Sequence, residues 1–253
     1  DTHNNNRGAM LKSITVLAAF LAVANGRSLL QPALRLRGGV DVGQVANGAL
    51  ALSAINGGMM ALSPSKAGEI YEVEMSEADS IIIKIMGGMM LSNAVAIYYT
   101  IGGTDALTAL GYGMIVPLIQ AIQGALNDDQ AKFGQEGPIK YLNLVISAVV
   151  TYTLLQGGPL DQTLTAKVYA GWGALNGIGM YFASGKMVEA WGADTKTVNP
   201  VFLKSMGTCI TLVGATFWLL ATGQARCSLL TLMLTLTLTL TLTLTRTQPR
   251  PWA

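Results

Sequence analysis

The sequence predicts an all-α fold, a polytopic membrane bundle of about six transmembrane helices carrying an internal parallel repeat. Three observations predict it. Hydrophobic residues form 51% of the chain and charged residues 12%, about half the ~25% charge of an ordinary soluble domain. Apolar runs recur along the chain, each near the ~20 residues that cross ~30 Å of hydrocarbon. Residues 55–103 also match residues 175–223 without a gap, at an offset of 120.

Nine pairs in that match are identical: Asn56/Asn176, Gly57/Gly177, Met60/Met180, Lys66/Lys186, Glu69/Glu189, Lys84/Lys204, Met86/Met206, Gly87/Gly207 and Gly103/Gly223. Tyr71/Trp191, Glu74/Asp194, Asp79/Asn199 and Tyr98/Trp218 keep their chemical character. Charged loop residues align as well as apolar ones, so shared composition does not account for the match. Self-similarity at a fixed offset points to duplication.

The predicted spans are residues 44–62, 80–101, 106–126, 139–155, 165–184 and 201–222. Asp105 follows a tight turn and is placed to cap the third span. Four crossings separate the first span from its copy, so both copies point the same way, as in a parallel repeat. Residues 41–158 read as the first membrane unit and residues 159–226 as a second, truncated one. Lys66, Lys84, Lys132, Lys140, Lys186, Lys196 and Lys204 fall on one side of the membrane, which favours that side as cytoplasm- or stroma-facing.

Both ends read as something other than fold. Residues 1–9 are polar, precede Met10 and read as upstream, non-native sequence. Residues 10–24 combine Lys12, a short apolar run and Ala22-Val23-Ala24, the pattern of a secretory signal peptide. Residues 25–40 carry Arg27, Arg35 and Arg37 and no acid, which is transit-peptide character. Together these segments resemble the bipartite plastid presequence of algae with secondary plastids, although no aromatic residue follows the cleavage site. The resemblance implies plastid import, with thylakoid as one destination. A basic N-terminus on an endomembrane or plasma-membrane protein is the alternative. Residues 227–253 hold a Leu-Thr dipeptide repeat whose period of two suits a strand and not a membrane helix; they read as a low-complexity, non-native tail.

Few residues carry chemistry. The one histidine, His3, precedes Met10, so no haem or zinc is expected; a pigment or lipid ligand stays open. Net charge is +2, which gives no case for nucleic acid. No nucleophile–base set, phosphate loop or paired-cysteine motif is visible, so no catalytic residue is named and the chain is not expected to be an enzyme. The polar or ligand-lining candidates are Lys84, Lys204, Asn56, Asn176, Gln120 and Gln123, with Pro117 as a kink. Lysines one turn inside a span either mark a substrate path or snorkel to the interface. Asn56 and Asn176 suit interhelical hydrogen bonds. Gln120 and Gln123 share one face of the third span. The glycine pairs let backbones approach closely.

Two roles follow. The first is a non-enzymatic integral subunit, scaffold or assembly factor of a plastid membrane beside a photosynthetic complex, with the bilayer and other membrane subunits as partners. The second is a small-solute or ion transporter or channel built from the duplicated unit.

Overall fold

The computed structural model describes residues 42–70, 74–129, 131–133, 138, 141–190 and 198–223. The expected presequence and the Leu-Thr tail lie outside these residues. Every element among them is helical: α1 Val42–Leu62, α2 Pro64–Ile70, α3 Glu77–Ile101, α4 Ala106–Leu126, a 3-10 turn Ala131–Phe133, α5 Leu142–Gln156, α6 Gln162–Phe182, α7 Ser184–Ala190 and α8 Pro200–Ala221.

Short polar side chains set the helix starts by satisfying N–H groups that lack an intrahelical partner. Ser76 and Asp79 form a capping box at α3: the Asp79 N–H donates to Ser76 Oγ at 3.0 Å, and the Ser76 N–H donates to Asp79 Oδ2 at 3.0 Å. Asp105 Oδ2 accepts from the N–H groups of Leu107 and Thr108 at 3.1 Å, as its position predicts. Asp161 caps α6 and Asn199 caps α8, where Pro200 takes the first helical position. The exits of α3 and α8 turn through Gly103 and Gly223, with φ of +86° and +73°, which L side chains reach only with strain.

Three described helices are long and apolar enough to cross a membrane: α3, α4 and α8. These are three of the six expected spans. α5 is apolar but has 15 residues, a rise of about 22 Å. α6 begins Gln-Thr-Leu-Thr-Ala-Lys and carries Asn176 and four glycines, which dilutes its apolar character. Of α1, side chains are described only from Leu50 onward, Leu52 excepted.

α3 sits centrally against α1, α4 and α8; α6 packs along α8, and α5 along α4. α3 and α8 point the same way. Near their starts Ile82, Ile83 and Met86 share a buried cluster with Phe202, Leu203 and Met206. Near their ends Ile97 shares another with Phe217 and Leu220.

Corresponding positions 120 apart have corresponding geometry. α1 and α6 have boundaries 120 apart, and so do α2 and α7. A Cβ built on Gly57 would lie 2.9 Å from Gly87 O, and one on Gly87 would lie 2.6 Å from Gly57 O. On Gly177 and Gly207 the same atoms would lie 2.6 Å from the partner's carbonyl oxygen. In both helix pairs the backbones touch where only hydrogen fits, as small residues at a helix interface allow.

Candidate functional site

A cleft opens between α3, α4, α5, α6 and α8, enclosing about 1130 Å³ when its open part is included. Its two ends differ. Lys84, Gln120, Asp129 and Asn143 line the end where α3 and α5 begin and α4 finishes. Met89, Met114, Trp172, Ile210 and Val213 line the part nearer mid-bundle, with Tyr169, Ser92 and Ser147 as polar exceptions. Ligand sites share this pattern of apolar walls with few polar groups.

Gln120 joins α4 to α3. Its Nε2 donates to the backbone oxygen of Lys84 at 2.7 Å. A Cβ on Gly88 would collide with the Gln120 amide, so the glycine makes room for that side chain. Pro117 lies one turn before Gln120 and lines the cleft, and α4 runs unbroken across it. Thr151 Oγ1 donates to Ser147 O at 2.6 Å and approaches Met114 O at 3.3 Å, tying α5 to α4.

The polar end holds a chain of charges. Lys84 Nζ lies 4.0 Å from Asp129 Oδ2, with side-chain exposures of 26% and 10%. Lys132 Nζ lies 3.7 Å from Asp129 Oδ1 and 2.6 Å from Glu77 Oε1. The hydrogen bond to Glu77 raises the Lys132 pKa above its ordinary value. Desolvation opposes this, and the charges of Glu77 and Asp129 add to it.

The remaining sequence candidates lie elsewhere. Lys204 is exposed on α8, although it stands 120 positions from Lys84. Gln123 is exposed and does not line the cleft. Asn176 Nδ2 donates to Trp172 O at 2.7 Å, a bond within its own helix. Asn56 is half-buried on α1, outside the cleft. The structure thus brings Lys84, Gln120 and Pro117 together and separates them from Lys204, Asn56, Asn176 and Gln123.

Asp129 is the residue that sequence reasoning missed. It sits in the polar Asn-Asp-Asp-Gln stretch after α4 and reads as a solvated loop acid. Asp128 before it has φ of +52°, a left-handed turn that short polar residues tolerate. The Asp129 N–H then donates to Gly124 O at 2.9 Å, which folds the carboxylate back over the cleft.

Among the described residues no three histidine, cysteine, aspartate or glutamate side chains converge as a metal site would require. The arrangement suits binding of one elongated molecule with a polar end. The chain matches no protein-family model, and no curated protein or solved structure matches it.

Proposed function

We propose that the protein is a non-enzymatic integral membrane subunit or scaffold, built from a duplicated helical unit and spanning the bilayer with six helices. One observation carries the reading: the outward faces of α4, α5 and α6 are apolar at helical spacing. Ile115, Ile119, Ile122 and Leu126 are exposed on α4, and Val145, Val149 and Tyr152 on α5. Leu164, Val168, Leu175, Ile178 and Phe182 are exposed on α6, Phe182 at 81%. A surface helix of a water-soluble protein places polar residues there. Hydrocarbon makes such stripes favourable, and a partner subunit has the same chemistry. The stripes on α5 and α6 support counting these two among the spans.

Duplication is supported by the matched helix boundaries and the matched glycine contacts. The N-terminal resemblance supports a plastid membrane, with other membrane subunits as partners. The full chain should resist alkaline carbonate extraction and co-migrate with a larger complex on a native gel. Release into the carbonate supernatant would contradict the membrane assignment, and migration as a lone small particle would contradict the subunit role.

The cleft favours a second reading, a small-solute or ion transporter, because it places a half-buried lysine inside the bundle. Flux of a charged dye or ion across liposomes holding the purified chain separates the two. A scaffold gives none above empty liposomes.

A further inference from the structure

We infer that the cleft binds a neutral, carbonyl-bearing amphiphile, with the carbonyl oxygen on the Lys84 ammonium and the apolar tail along Met89, Met114 and Trp172. This goes beyond the scaffold reading and holds equally if the bundle transports.

The shape of the site is the first ground. Charged and amide groups gather at one end, and the walls beyond are largely apolar. A ligand that satisfies both ends has one polar terminus and a long apolar body. Met89, Met114 and Met206 give walls that adapt to an irregular tail.

The chemistry of Lys84 is the second. Its ammonium carries three donors. The nearest carboxylate oxygen is 4.0 Å away, beyond hydrogen-bond distance. A ligand oxygen at the polar end supplies a direct acceptor. Charge then decides between acceptors. Asp129 faces the same space with 10% of its side chain exposed, so a carboxylate or phosphate head would sit beside a like charge. A neutral carbonyl accepts from Lys84 without that repulsion.

Access is the third. Asn143 on α5 and Trp172 on α6 line the cleft and are also exposed, so the opening lies between those two helices. Its flanks are the outward apolar rows with Val145 and Val149 on one side and Val168 and Leu175 on the other. A ligand enters from an apolar phase, which selects amphiphiles over water-soluble solutes.

The test is a titration of the full chain in detergent with decyl-benzoquinone, read by tryptophan fluorescence. Saturable quenching is expected, and Trp172→Phe should remove most of it. Lys84→Met should weaken binding about tenfold, the effect of losing one hydrogen bond to a charged donor. Lys84→Arg should stay within about threefold. Ala121→Phe, which fills the cleft from α4, should abolish saturation with an unchanged thermal midpoint. Decanoate, with an anionic head, should bind at least tenfold more weakly than the quinone. If Lys84→Met does not fold, Lys84→Arg and Ala121→Phe decide the matter alone. Quenching that rises linearly and ignores Ala121→Phe overturns the site. Decanoate binding as tight as the quinone overturns the neutral head.

Discussion

Asp79 Oδ1 accepts a hydrogen bond from the backbone N–H of Asn199 at 2.8 Å, and the two residues stand 120 positions apart. The other oxygen of Asp79 closes the capping box with Ser76. One carboxylate, 5% exposed, therefore starts α3 and holds the start of α8 beside it. The contact lies between equivalent positions of the two matching stretches, where an axis relating two copies would place it.

Asp79→Ala keeps the Ser76 cap but removes the acceptor of the Ser76 N–H and of the Asn199 N–H. Each hydrogen bond lost costs about 0.5–1.5 kcal/mol, more where the donor is left buried and unpaired. The thermal midpoint in detergent should fall for Asp79→Ala and less for Asp79→Asn, which keeps one acceptor oxygen. Equal midpoints for both variants and the parent would show that the contact is dispensable.

Gly87→Ala and Gly207→Ala should each destabilise by about 1–3 kcal/mol, the usual effect of overpacking. The added methyl meets the facing backbone, which does not rotate away. Gly58→Ala is the control, because nothing lies within 4 Å of its added Cβ. It should be neutral or slightly stabilising through helix propensity. Unfolding followed by circular dichroism ranks the three; Gly58→Ala falling with the others would contradict the close-contact argument.

Ser53→Ala and Ser205→Ala should be neutral or stabilising by up to about 1 kcal/mol. Both hydroxyls are buried and lack a hydrogen-bond partner. Replacing an unsatisfied polar group by a methyl removes its desolvation cost. A loss of more than ~1 kcal/mol on the same unfolding assay would contradict this and show that the hydroxyls make a stabilising contact.

The fold was legible where one helix decides its own ends. The span expected at 106–126 is α4 to the residue, because Asp105 and the apolar run mark it without help from neighbours. The expected second span starts at Ser80, but α3 begins at Glu77 because the Ser76–Asp79 box adds a turn. α2 and α7 are not among the expected spans, since seven residues carry no periodicity to detect, although Pro64 after Ser63 is a start signal. The cleft was not legible. Lys84, Gln120 and Asp129 meet only because α3, the end of α4 and the turn after it pack together, and no local spacing records that.

The Lys132–Glu77 pair should open at high pH. A raised lysine pKa means that the contact is fully present below the ordinary 10.5 and is lost as pH rises through the higher folded value. A spin label at Ala131→Cys should therefore gain mobility in that alkaline range. Lys132→Met should be mobile at all pH values and show no such step. A parent protein with the same flat profile would contradict the pairing. High salt should also loosen it, because the pair is exposed.

The central claim is a membrane bundle whose two matching stretches point the same way, and cysteine accessibility in sealed vesicles tests it most directly. Cys209 is buried; it and Cys227 are first replaced by alanine. Single cysteines then go to the exposed positions Glu69, Glu189 and Leu160. Glu69→Cys and Glu189→Cys should react with a membrane-impermeant maleimide from one side, and Leu160→Cys only from the other. Labelling of Glu69→Cys and Glu189→Cys from opposite sides, or of all three from the same side, would contradict the account.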